Sequence, residues 1–282
     1  MHRRTLLRAG GAALAIALPI PLLFRRRPPP KGLVADPAGL VDLPRGFSYR
    51  VLERRGDPMS DGYRVPGLPD GMACFAGPKG TLVLMRNHEV GRYFGMSAYP
   101  PGTAAPAEAF DASAHGGVTR LVLDERSLGR VSSNLVLTGT LRNCAGGQSP
   151  WGWLSCEEST ETGHGWVFLC KTTASRVAKP ERIAAYGRMN HEAVCVDPKT
   201  HVAYLTEDRS DSCLYRFVPK KKDAPFDGRL QALRVRGESA FDVAKSLSPG
   251  RRVAVDWVDV PEPGANDDSL RRRAHERGAA IR

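Results

Sequence analysis

The six cysteines of this 282-residue chain form no Cys-x-x-Cys pair, and the sequence has no His-Glu-x-x-His, no Gly-x-Ser-x-Gly, no phosphate loop of the Walker type and no EF-hand loop. A zinc ribbon, a thioredoxin-type site, a zincin, an α/β-hydrolase and a P-loop nucleotide hydrolase thus all lack their signatures. Asp208-Arg209-Ser210-Asp211 has the composition of a calcium loop but the wrong spacing. Aromatic residues make up only 7% of the chain, and the basic residues are not gathered among them into a patch, as a nucleic-acid surface requires. No acid occurs in residues 1–30, which hold six arginines, so the net charge falls from +11 for the whole chain to +5 beyond residue 30. No nucleic-acid partner is expected. Sustained helical periodicity is also missing. Only 267–277 reads as a helix, with Asp267 or Asp268 as its cap.

The acid-free leader has a function of its own. Arg3-Arg4-Thr5-Leu6-Leu7-Arg8 resembles a twin-arginine export signal, followed by a weakly apolar stretch over 9–24 that Pro19 and Pro21 interrupt. That stretch is shorter than the roughly 18 apolar residues of a membrane span. A periplasmic or extracellular protein delivered by the twin-arginine machinery is expected, with a short N-terminal anchor as the alternative. Because that route carries folded proteins, metals can be loaded before export.

Beyond residue 40 the pattern is one of short apolar or alternating runs: 81–86, 118–123, 131–137, 151–156, 166–171, 202–206, 213–218, 230–235 and 253–258. The intervals are rich in Gly, Pro, Asp and Asn, with 29 Gly and 22 Pro overall. Many short strands at regular spacing predict an all-β sandwich, barrel or propeller. No low-complexity linker divides the chain, so residues 31–282 read as one domain.

Acidic clusters choose among these architectures. Asn87-His88-Glu89 follows a strand, Asn190-His191-Glu192 echoes it, and two further runs end in Cys156-Glu157-Glu158 and Glu207-Asp208. Unpaired carboxylates are costly to bury one cluster at a time. In a propeller, whose innermost strands line a central channel, they can converge on cations. Oxygen-rich sets suit calcium, and a thiolate beside carboxylates suits iron or another transition metal. Cys156, Glu157 and Glu158 supply both kinds. Asn87 or Asn190 would be a neutral calcium ligand, and Glu89, Glu192, Glu207 and Asp208 the anionic ones. In extended chain, alternate side chains point to opposite sides, so His88 and His191 are expected to face away from the channel.

Seven stretches, in order, carry a family resemblance: Gly56-Asp57-Pro58-Met59-Ser60-Asp61-Gly62, Asp70-Gly71-Met72-Ala73, Arg86-Asn87-His88-Glu89, Asn143-Cys144-Ala145-Gly146-Gly147, Pro150 to Glu158, Gly187 to Ala193, and Tyr204 to Arg209. Together they resemble the PhoX alkaline phosphatase family over residues 33–260. The resemblance implies a six-bladed β-propeller whose channel holds iron and calcium and hydrolyses phosphate monoesters. By that similarity Cys156 is the iron thiolate, Glu192 an iron ligand, and Asn87, Glu89, Glu157 and Asp208 surround calcium. Arg86, Arg188 and Arg209 flank the motifs and are the candidates for forked hydrogen bonds to phosphoryl oxygens.

Members of that family continue past the point where this chain stops. The last blades and one or two acidic ligands are therefore expected beyond residues 277–281, and the propeller here is expected to be incomplete. A gene fragment is the first expectation, with completion by a second polypeptide or a shortened, inactive relative as alternatives. A non-catalytic calcium-binding propeller, or an interaction protein of that fold, is the competing function, and a lactonase-type propeller a weaker third.

Overall fold

A computed structural model describes residues 28–92, 95–100, 102–239 and 241–281. The twin-arginine stretch and the apolar stretch after it lie outside the described residues. The chain divides into two units, residues 1–51 and 52–282. In the first, β1 (Leu33–Val34) pairs antiparallel with β2 (Leu43–Pro44). The Asp36 carboxylate organises the loop between them, accepting from the amides of Ala38, Leu40 and Val41 and from the Tyr49 hydroxyl.

The second unit is three antiparallel meanders laid down one after another. The first sheet is β3 (Pro69–Ala76), β4 (Thr81–His88), β5 (Gly116–Asp124) and β6 (Arg130–Thr140). The second is β7 (Asn143–Ser149), β8 (Gly152–Glu157), β9 (Val167–Cys170) and β10 (Glu181–Arg182). The third adds a fifth strand: β11 (His191–Val196), β12 (Ala203–Glu207), β13 (Tyr215–Lys221), β14 (Ala224–Val235) and β15 (Val255–Asp259). Helix α1 (Val243–Ser246) lies between β14 and β15, and α2 (Leu270–Glu276) follows them. Strand β7 lies against β3 on one side and β11 on the other. The first strand of each sheet is therefore the inner one, as in the blades of a propeller. The fold is all-β and propeller-like.

Strand alternation explains where the core sits. In β4, Val83 and Met85 face one way and join Val118, Val136, Trp153, Trp166 and Phe168 between the first and second blades. Between the second and third, Leu154, Cys156, Val167, Tyr186, Val194, Leu205, Tyr215 and Phe217 pack with Leu270 and Ala274 of α2. Fully burying one large apolar side chain contributes about 1.5–3 kcal/mol, so these two layers hold the blades side by side. Each of the nine runs read from the sequence overlaps one of β4–β6, β8, β9 or β12–β15, and the 267–277 reading contains α2, whose cap is Ser269 rather than Asp267 or Asp268. The remaining long strands, β3, β7 and β11, are all inner strands.

Candidate metal centre

The inner strands begin in the same way in all three blades. Pro69 pairs with His88, Asn143 with Glu157 and His191 with Glu207. The next paired residues are Met72 with Arg86, Gly146 with Ser155 and Val194 with Leu205, so three residues advance on the inner strand against two on its partner. This β-bulge bends the strand and re-aims a side chain. The first bulged residue is Asp70, Cys144 or Glu192. Just past the end of the partner strand stands Glu89, Glu158 or Asp208. Their amides donate to the carbonyls of Leu68, Arg142 and Asn190 at 2.8, 2.9 and 3.0 Å, again at one position in each blade.

These six residues share one field. Ligand atoms of Cys144, Glu158 and Glu192 all lie within 4.8 Å of one another. Burial raises the Glu192 carboxyl, and the charges of Glu158, Asp208 and Asp70 raise it further. Glu89 is raised by burial and by Glu158 and Asp70, with Arg142 opposing them. Burial likewise raises the Cys144 thiol, and Glu192, Glu158 and Asp70 add to it. Its Sγ donates to Glu192 Oε2 at 3.7 Å. Like charges gathered so closely disfavour one another's ionised form, and a bound cation would relieve that repulsion. Hard oxygens with one soft sulfur fit a mixed site, calcium-like on the oxygens and transition-metal-like at the sulfur.

The motifs read from the sequence divide between this centre and its frame. Glu89, Glu158, Glu192 and Asp208 are brought together. Cys156 leaves β8 on the opposite side, wholly buried among Leu154, Val167 and Tyr186. The fully buried Glu157 carboxylate accepts from the amides of Leu141, Gly165 and Trp166 at 2.8, 2.9 and 3.1 Å, and His164 Nδ1 lies 2.7 Å from it. Asn87 follows Val83 and Met85 on the face toward the second blade. There its amide donates to the carbonyls of Cys144 and Ala145 and accepts from Trp153 Nε1 and Ser155 Oγ. Asn190 donates to Glu158 Oε1 at 3.2 Å and to the Asp208 carbonyl. Glu207 is turned into the third blade beside Tyr215, where burial pushes its carboxyl up to about 7. The histidines face away: His88 bonds the Gly67 carbonyl and Thr119, and His191 the Gly187 carbonyl.

The arginines flanking the motifs are bonded elsewhere. Arg86 pairs with Glu53 at 2.7 Å, Arg188 donates to the carbonyls of Thr160 and Glu161, and Arg209 reaches Thr160 Oγ1 and Asp268. Asp70 and Cys144 stand in two of the seven family stretches but are not among the ligands expected from the sequence, and neither is Arg142 among the expected arginines. Glu89, Glu158 and Asp208 close a repeat that runs from Asn87-His88-Glu89 through Cys156-Glu157-Glu158 to Thr206-Glu207-Asp208, all at the ends of second strands, and Asp70 and Cys144 lie on the inner strands that pair with the first two. Asn190-His191-Glu192, which looks like the partner of the first, instead opens an inner strand.

Three blades that each direct two ligand-type side chains toward one centre define a propeller-like protein with a candidate metal site. The chain belongs to the PhoX alkaline phosphatase family, whose model, Alkaline phosphatase PhoX, matches residues 30–135 and 128–281. A solved structure, Pseudomonas fluorescens PhoX in complex with vanadate, a transition state analogue, has the same fold with a TM-score of 0.62 at 19% identity, covering 85% of this chain. The present chain spans 62% of that protein. No curated protein matches.

Proposed function

We propose that the chain is a metal-dependent phosphatase of the cell envelope, acting on phosphate monoesters, with iron and calcium as its metals. The observation that carries this reading is the convergence of Asp70, Glu89, Cys144, Glu158, Glu192 and Asp208 in a PhoX-family chain. Cys144 would hold iron together with Glu192 and Glu158, while Glu89, Asp70 and Asp208 would serve calcium. When bound, such cations neutralise phosphoryl oxygens and stabilise charge that develops in an in-line displacement. The protein's part is to hold the acids in register. The bulges aim three of them, the amide bonds to the carbonyls of Leu68, Arg142 and Asn190 fix the other three, and Asn190 orients Glu158. The vanadate bound by the Pseudomonas fluorescens protein supports a phosphoryl-type substrate. The leader at residues 3–8 supports twin-arginine export, with the metals loaded before the membrane is crossed.

The test is the metal content of protein purified from its own cells, together with its visible spectrum and its hydrolysis of p-nitrophenyl phosphate. Bound iron, visible colour and hydrolysis are expected, with hydrolysis lost on chelation. Colourless protein that binds calcium tightly and leaves the ester intact would instead be a calcium-bound scaffold.

A further inference from the structure

We propose that Arg142 is the residue that anchors the phosphoryl group at the mouth of this centre. The inference rests on the phosphatase reading and adds to it a binding residue outside the flanking arginines. Arg142 occupies the position that Leu68 fills in the first blade and Asn190 in the third, immediately before the bulged strand. Its amide donates to the Val90 carbonyl at 3.1 Å and its own carbonyl accepts from Glu158, so its backbone is pinned between two acid-bearing strand ends. Asn190, at the same position one blade on, reaches back to the acid of the preceding blade, Glu158. Arg142 stands in that relation to Glu89, where its charge is felt.

Unlike Arg86, Arg92, Arg188 and Arg209, Arg142 is exposed, and among the described residues its guanidinium makes no hydrogen bond or ion pair. A fork of donors is thus held beside an acidic centre with nothing to bond, and a phosphoryl group seated on cations there would present the oxygens that match it. The backbone sharpens the point. Arg142 has φ +45° and Leu68 φ +46°, a left-handed conformation in which glycine is most at ease. The turn requires the conformation, but it does not require a guanidinium.

The experiment compares wild type, Arg142→Gly, Arg142→Lys and the control Leu128→Gly, an exposed left-handed position (φ +53°) in the turn between β5 and β6, all metal-loaded. It reads the KM for p-nitrophenyl phosphate, the Kd for inorganic phosphate by calorimetry, metal content and melting temperature. Arg142→Gly is expected to raise KM and Kd by about 10- to 100-fold, the range for a charged hydrogen-bonding pair, with metal content unchanged and the melting temperature no lower. Arg142→Lys should recover part of the loss, and Leu128→Gly should leave KM and Kd unchanged. Active wild type with an Arg142→Gly variant within twofold in both constants, or one that loses metal in parallel, would overturn the anchor while sparing the phosphatase reading. Wild type that neither hydrolyses the ester nor binds phosphate would overturn both.

Discussion

A thiol ligates only where its sulfur can reach an ion, and the two thiols nearest the centre leave their strands in opposite directions. Cys144 is the bulged residue of β7 and meets Glu192 and Glu158. Cys156 is one residue short of the end of β8 on its apolar face, and burial holds its thiol well above the ordinary range. Cys156→Ala is therefore expected to cost about 1–2 kcal/mol of stability through a small cavity while leaving the metal content of purified protein intact. Cys144→Ala should cut the transition-metal content severely at a stability cost of under about 1 kcal/mol in the metal-free protein, since the deleted sulfur meets the carbonyls of His191 and Glu192 and the Glu192 carboxylate rather than an apolar cluster. Elemental analysis beside urea unfolding reads both effects. Metal lost in Cys156→Ala and kept in Cys144→Ala would return the ligand role to the buried thiol.

Inner strands have a task that outer strands do not, and it shapes their composition. A β-carbon on Gly147 would stand 1.7 Å from the Val194 carbonyl oxygen, and one on Gly71 would stand 2.8 Å from both the Ala145 Cα and the Cys144 carbonyl oxygen. These glycines let β3, β7 and β11 lie side by side, close enough for acids on different blades to meet. Gly147→Ala is expected to lose about 3 kcal/mol or more, because the contact is with backbone that cannot swing aside. Denaturant midpoints measure the loss, and a cost below about 1 kcal/mol would mean that β7 and β11 can part freely. The same composition hid these strands in the sequence. The outer strands are legible because Val, Leu and aromatic residues mark them. Pro69-Asp70-Gly71, Asn143-Cys144-Ala145-Gly146-Gly147 and His191-Glu192-Ala193 lack that signal, because ligands and glycines take the places of β-formers. The convergence of the acids was legible from their repeated place at strand ends. Which acid faces the centre was not, because the inner-strand bulge breaks the alternation rule, and because two Asn-His-Glu triplets identical in sequence occupy different places in their blades.

Across the whole second unit, blades must be tied as well as packed, and the first two share a buried polar tie. His164 sits between Glu157 of the second blade, 2.7 Å from Nδ1, and Asp111, 3.2 Å from Nε2, in the segment between β4 and β5 of the first. Arg92, also in that segment, pairs with Asp111 at 2.8 Å and with Glu161 at 2.7 Å. Burial by itself pulls the His164 pKa down, but the hydrogen bond and charge of Glu157 and the hydrogen bond to Asp111 outweigh it, so the net shift is upward from 6.5. A raised folded pKa means that the folded state holds this proton more tightly than the unfolded chain does. The stabilisation is then complete below pH 6.5 and is lost as the pH climbs through the raised folded value. In metal-free protein, to keep ion binding out of the comparison, wild type should be more stable relative to His164→Gln at pH 5.5 than at pH 8.5, as judged by urea unfolding across that interval. A difference between the two proteins that does not vary with pH would mean that His164 bridges the blades as a neutral ring, and that their electrostatic tie runs through Arg92 and Glu161.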